Sequence, residues 1–211
     1  MPMKTLAAVC IAAGAVAASA LALPPVTVTL AAAPTVVAYG QKVAFSGQVS
    51  TKKANQQVVI QGTACGSTNT TKAATVKTTA NGMYTVSAAP ALGTTYHASF
   101  KNGTSQPAVI TVKPVLELKR VARGSFTANV TAGQALTGKF VLFQRYKKLK
   151  KRWVQVKRMA LKTSVAGTKP TVVSSVSFKS TLRAGTRVRV MISKAQAGPC
   201  YLTAASKSIR A

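Results

Sequence analysis

Acidic side chains are almost absent from this sequence. It has no Asp and a single Glu, Glu117, against 29 Lys and Arg, and its one histidine is His97. General acid–base chemistry needs a titratable group of suitable pKa beside the reacting bond. With this inventory neither paired carboxylates nor a Ser-His-Asp arrangement can be assembled. Metal sites are equally short of ligands, because zinc takes four N, S or O donors and calcium several carboxylates. The chain is therefore expected to be no enzyme, with no catalytic residue, no metal site and no cofactor. His97 follows Tyr96 on an expected strand and should face outward, and Glu117 should pair with a neighbouring cation such as Lys119.

Two further absences narrow the class. No helical period stands out after Pro25, and no apolar run of eighteen or more residues occurs there, so no transmembrane span is expected in the mature chain. The apolar run near the start is of another kind. After MPMK, residues Leu6 to Ala22 are small and apolar, and end in Ala18-Ser19-Ala20 and Ala20-Leu21-Ala22, with Pro24-Pro25 just beyond. That is the layout of a secretory signal peptide over residues 1–22, short for a membrane anchor. Cys10 would leave with it. Cys65 and Cys200 would remain, in a compartment that permits a disulfide.

What is present reads as short strands between turn signals. Val26–Leu30, Lys42–Ser46, Gln57–Gln61, Ala73–Lys77, Met83–Ser87, Thr95–Phe100 and Ala108–Val112 are rich in β-branched or aromatic residues. Tyr39-Gly40, Asn81-Gly82, Leu92-Gly93 and Asn102-Gly103 supply turns. The pattern then restarts after Lys113-Pro114. Val58-Val-Ile-Gln61 is echoed by Val141-Leu-Phe-Gln144, and Gly93-Thr-Thr-Tyr-His-Ala-Ser-Phe100 by Gly185-Thr-Arg-Val-Arg-Val-Met-Ile192. The matches keep their order, as a diverged duplication would. The expected fold is all-β, with one sandwich over 23–114 and a second over 115–211.

Leu92-Gly-Thr-Thr-Tyr96 resembles the tyrosine corner of fibronectin type III and immunoglobulin-like domains, where the Tyr hydroxyl bonds back to the chain. The tandem also resembles secreted bacterial immunoglobulin-like modules that end in a Gly/Pro-x-Tyr segment before a last strand, here Gly198-Pro-Cys-Tyr-Leu202 and then Ser206 to Arg210. Val188 stands where a corner tyrosine of the second unit would be. The resemblance implies two immunoglobulin-like sandwiches acting in binding or as spacers. In such a topology Cys65 falls near the junction of the units and Cys200 at the facing end of the second, so an inter-domain disulfide is allowed. Two separate thiols, each held in its own domain, are the alternative.

The formal charge of +28 makes association with polyanions expected. Of the 29 cations, Lys4 lies in the leader, seven lie between 23 and 114, and the remaining 21 lie between 115 and 211, where Glu117 leaves a net +20. The two units should therefore have different roles. The sharpest concentration is FVLFQRYKKLKKRWVQVKRMAL, Phe140 to Leu161. If Leu149-Lys150 is a tight turn, Tyr146 opposes Trp153, Gln144 opposes Gln155 and Phe143 opposes Val156. Phe143, Val154 and Val156 would then face the core, with Gln144, Tyr146, Trp153, Gln155 and Lys157 on the outer face. In Arg187-Val-Arg-Val-Met-Ile192, Arg187 and Arg189 would also point outward.

The expected polyanion-binding residues are Arg145, Lys147, Lys148, Lys150, Lys151, Arg152, Lys157, Arg158, Arg187 and Arg189. A charge of +20 exceeds the magnitude of roughly 2–8 that solubility asks of a small domain, so these cations read as a grip. Tyr146 and Trp153 could stack on a ligand, but a cross-strand aromatic pair also braces a hairpin, and the brace is the reading adopted. The leading function is an exported, secreted or cell-wall-associated protein whose second domain docks onto an anionic cell-surface polymer. Acidic polysaccharide, cell-wall polymer and lipid headgroups all fit, and the first domain would be a spacer or face a protein partner. Extracellular nucleic acid as the partner, or a structural subunit of a surface layer or appendage, are the alternatives.

Overall fold

A computed structural model describes residues 26–168 and 170–211. The leader expected over 1–22, with Cys10, lies outside the described residues. Between residues 26 and 113 the strands are β1 (Ala31–Ala33), β2 (Val36–Ala38), β3 (Val43–Gln48), β4 (Gln57–Ala64), β5 (Thr70–Lys77), β6 (Met83–Ala88), β7 (Thr94–Phe100), β8 (Gly103–Thr104) and β9 (Ala108–Lys113). One sheet has the order β1-β3-β6. The other runs β2-β9-β7-β4-β5, with β8 also on β7. Alternation drives the packing: on β7, Tyr96, Ala98 and Phe100 are buried while the residues between them are only partly covered. Tyr96 lies against Phe45 with ring centroids 4.7 Å apart.

The first strand is not where the Val26–Leu30 run suggests. Only Val28 bridges there, to Val49. The Gln48 N–H donates to Thr29 Oγ1 at 2.9 Å while the Thr29 carbonyl accepts the buried Tyr84 hydroxyl, and regular pairing begins at Ala31. Tyr96 also departs from the corner pattern: among the described residues no hydrogen bond joins its hydroxyl to the main chain, whereas the Tyr84 and Tyr201 hydroxyls each make one.

The second sandwich uses β10 (Val115–Ala122), β11 (Ser125–Ala132), β12 (Phe140–Lys147), β13 (Arg152–Ala160), β14 (Thr163–Ala166), β15 (Val172–Lys179), β16 (Arg187–Ile192), β17 (Ala204–Ala205) and β18 (Ile209–Arg210), with a one-turn helix α1 (Lys194–Ala197). Its sheets are β10-β11-β15-β14 and β13-β12-β16, and β17 and β18 both pair with β16. Phe126, Phe143 and Phe178 form the centre of the core, with ring centroids 4.9 to 5.7 Å apart. Both units are thus immunoglobulin-like β-sandwiches, and among the described residues no helix is long and apolar enough to cross a membrane.

The echo in sequence is an echo in register. The ladder slips between Ile60 and Gln61 in the first unit and between Phe143 and Gln144 in the second. Each last strand is also interrupted by a buried serine in the same way. The Ser105 hydroxyl accepts the Ala98 N–H and donates to the Gln106 carbonyl. The Ser206 hydroxyl accepts the Val190 N–H and donates to the Lys207 carbonyl. Ala98 and Val190 are the very residues that the sequence echo aligns.

The junction is tightly built. Cys65 and Cys200 form a disulfide with Cα atoms 5.3 Å apart. Gly93 N–H donates to the Cys200 carbonyl at 3.0 Å, and Leu202 N–H to the Val112 carbonyl at 2.9 Å. Tyr201, buried in the second unit, donates its hydroxyl to the Ala91 carbonyl of the first at 3.1 Å and accepts the Gly133 N–H at 2.8 Å. Gly133 admits this approach because a Cβ there would lie 2.9 Å from the Ala91 carbonyl oxygen.

Candidate polyanion-binding site

Hairpin β12–β13 sets the geometry. Tyr146 faces Trp153 and Gln144 faces Gln155, the register that the spacing predicts. Phe143, however, pairs with Lys157 rather than Val156. A bulge leaves Val156 unpaired and 41% exposed, so it is no core residue. The slip also takes Lys157 off the outer face, because it now shares the inward row with Phe143. From the edge strand it reaches across to the other sheet, with Nζ 3.5 Å from the Lys179 carbonyl. The turn spans Lys148 to Lys151, closed by Lys151 N–H to the Lys148 carbonyl at 3.1 Å. Leu149 and Lys150 are its central pair, Leu149 is wholly exposed, and Lys151 is left-handed at φ 45°.

On the outer face a guanidinium stands over each aromatic ring. Tyr146 and Trp153 meet at 5.3 Å between centroids, tilted by 59°. Arg189 lies 4.2 Å from the Trp153 centroid and Arg187 5.3 Å from that of Tyr146. Arg189 Nε donates to Gln144 Oε1 at 2.8 Å, and Arg187 Nη2 to Ser208 Oγ at 3.2 Å. Burial pulls the Arg189 pKa below the usual arginine value. These rings hold arginines in place through cation–π contact, and one face of each ring is already taken. Arg158 is farther along β13, over the Phe140 ring at 3.8 Å.

Next to this face a cleft of about 260 Å³ is lined by Tyr146, Lys148, Thr186, Arg187 and Arg210, among others. Arg210 sits directly opposite Arg187 in the β16–β18 ladder. Like charges in that position repel. Lys150, Lys151 and Arg152 are exposed at the turn and strand start. Arg145 and Lys147 are half-covered and continue the inward-facing row of β12.

The antiparallel registers gather these residues at one pole. The β10–β11 turn, the β12–β13 turn and the β15–β16 loop all lie at the end away from the disulfide, because Ser125 pairs with Lys179 and Arg145 with Val188. Sequence reasoning missed Arg120, Arg123, Lys179, Arg183 and Arg210, which flank those connections. A cation beside each turn was readable. That the three turns share an end is knowledge only the topology supplies. The Lys119–Glu117 pair, 3.3 Å apart, is the one ion pair among the described residues, so no Asp or Glu side chain pairs with the cations of the pole.

The sequence matches no known family model and no curated protein. Among solved structures it is similar to two described as a marsupial T cell receptor. One is 11% identical over 88% of this chain and 100% of that one, with TM-score 0.32. The other is 9% identical over 89% and 99%, with TM-score 0.33. A tetra-tandem repeat from the extending region of a large adhesion protein is 15% identical over 88% of this chain and 48% of that chain, with TM-score 0.33.

Proposed function

We propose that this is an exported, non-enzymatic binding protein whose second domain docks onto an anionic polymer at the cell surface or cell wall. The first domain, with seven cations and no acid, holds that pole away from its own far end. The observation that carries the reading is the basic pole, where cations from three connections and one sheet face converge with no Asp or Glu side chain among them. Folding such a cluster costs repulsion that an external polyanion offsets. The arginine–aromatic contacts favour recognition of charge, because they occupy ring faces that a base or sugar would need.

The test replaces Lys147, Lys148, Lys150, Lys151 and Arg152 with Gln and measures binding to purified anionic cell-wall polymer and to duplex DNA across a salt series. The variant should keep its fold, since these side chains lie outside the core. On duplex DNA its log–log salt slope should flatten by up to about 4.5, at about 0.9 per lost phosphate contact. Lys42, Lys52, Lys53, Lys72 and Lys77→Gln in the first domain should change binding far less. Equal losses from the two sets would leave diffuse charge as the explanation and remove the site. Tighter binding to DNA than to wall polymer would replace this reading with a nucleic-acid one.

A further inference from the structure

The second sandwich closes its core differently at its two ends. Beside the first domain, Leu136, Leu161, Ala197 and Tyr201 fill the gap between the sheets and are buried. At the far end the inward rows run out in cations. On β10 the buried Leu116 and Leu118 are followed at the next inward position by Arg120. On β12 Val141 and Phe143 are followed by Arg145 and Lys147, and on β13 Lys157 takes the position paired with Phe143. Long basic side chains can cover apolar surface with their stems while their heads reach water. The mouth of the sandwich is therefore ringed with charge just beyond the Phe126–Phe143–Phe178 cluster.

Two adjoining clefts open in that mouth. One, of about 630 Å³, is bounded by Arg120, Arg123 and Arg183 together with Ser180, Thr181 and the buried Ala211. The second, of about 490 Å³, shares Arg123, Gly124, Ser180 and Thr181 with it and adds Lys157 and Lys179. A bulge shapes the first: Arg120 pairs with Phe126 and Ala122 with Ser125, leaving Val121 unpaired. Bulges re-aim the side chains around them, and Arg123, just past the strand, lines the same cleft as Arg120. The Ser180 N–H is held by the Gly124 carbonyl at 2.8 Å, which fixes the wall common to both clefts.

We infer that this double cleft is a second anion-binding site, taking consecutive phosphate groups of a linear polymer that also crosses the hairpin face. The inference rests on the proposed function and names its ligand class. Three arginines around one cleft call for several negative charges close together, which consecutive phosphate groups supply at one apiece and an isolated carboxylate does not. The planar arginine fork suits its oxygens bidentately. No aromatic residue lines either cleft, so nothing there stacks a base or sugar ring. Two clefts with a common wall suit a chain that repeats its charge at short intervals.

The experiment titrates the full chain with long-chain inorganic polyphosphate across a NaCl series, read by calorimetry and by the emission of Trp153, the only tryptophan. The variant R120Q/R123Q/R183Q should weaken binding at least tenfold and flatten the salt slope by roughly 2–3, if polyphosphate contacts count as nucleic-acid ones do. Its melting midpoint should not fall, since all three side chains are exposed and their removal relieves repulsion. The charge-preserving R120K/R123K/R183K should retain the slope and lose part of the affinity, which separates fork geometry from charge. Wild-type affinity in the Gln variant would overturn the second site while leaving the hairpin reading intact. A wild-type chain that bound no anionic polymer would overturn both. Equal binding of polyglutamate at matched charge would overturn the phosphate assignment, and so would binding to anionic vesicles that polyphosphate does not compete away.

Discussion

At the scale of single residues, Tyr201 joins the two halves of the molecule. Its hydroxyl donates across the junction to Ala91 and accepts from Gly133 within its own domain. Burial pushes its pKa up to about 12, and burial does the same for Tyr84. In the unfolded chain both would ionise near 10. The folded state therefore binds protons more tightly, and its stability is intact below pH 10 and falls as pH rises from there toward 12. Tyr201→Phe should cost about 1–3 kcal/mol at neutral pH, because the Gly133 N–H loses its partner. The same variant should show a shallower loss between pH 10 and 12, with one buried phenol fewer to ionise. Denaturant melts of both proteins at pH 7, 10 and 11.5 measure this, and parallel pH profiles would refute it. The sequence marked Tyr201 only as part of a terminal Gly/Pro-x-Tyr segment. Its role depends on where Ala91 lies, 110 residues away in the chain.

At the scale of elements, strands with strict alternation were legible and those shaped by a competing hydrogen bond were not. β7 and β16 follow the alternation of Tyr96-His-Ala-Ser-Phe100 and Arg187-Val-Arg-Val-Met-Ile192 closely. The Val26–Leu30 run has equal β-character, yet its Thr29 side chain takes the Gln48 N–H, and no local pattern announces that. The hairpin was read correctly from Gln144 to its tip and wrongly beyond, because a one-residue bulge at Val156 moves Lys157 to the other face. The serine splices of the last strands give an element-level prediction. Ser105→Ala and Ser206→Ala each leave a buried N–H unpaired, at Ala98 or Val190, and should each cost about 1–3 kcal/mol. Being in separate cores, the two losses should add within about 0.5 kcal/mol. Denaturant unfolding of the single and double variants tests both size and additivity. For the hairpin face, Trp153→Ala should weaken polymer binding through Arg189, which loses the ring beneath it. The double variant Trp153→Ala with Arg189→Gln should then bind no worse than Arg189→Gln alone. A further loss in the double variant would mean that the ring itself touches the ligand.

At the scale of the whole molecule, the disulfide and the hydrogen bonds around it make the junction a joint of several independent ties. Cys65→Ser with Cys200→Ser opens a loop of 135 residues and should lower stability by about 2–5 kcal/mol. The remaining ties through Tyr201, Gly93 and Leu202 should keep the domains docked, so small-angle scattering of the variant should match the wild type. An increased radius of gyration would show that the bridge alone sets the angle. The segregation of charge between units was fully legible, as it needs only counting. Its concentration at one end was not, since it depends on which turns share a pole.

That concentration bears on how the protein meets a surface, before any contact forms. A body carrying +7 at one end and +20 at the other has its centre of charge displaced from its centre of mass. An anionic wall therefore exerts a torque on it as well as a pull, within a Debye length of about 8 Å at physiological ionic strength. A molecule with the proposed function would turn as it arrived and land on its basic end. With the ties of the junction intact, docking as proposed would pass the landing orientation to the first domain, which would stand outward as a bristle whose tip is presented to whatever passes.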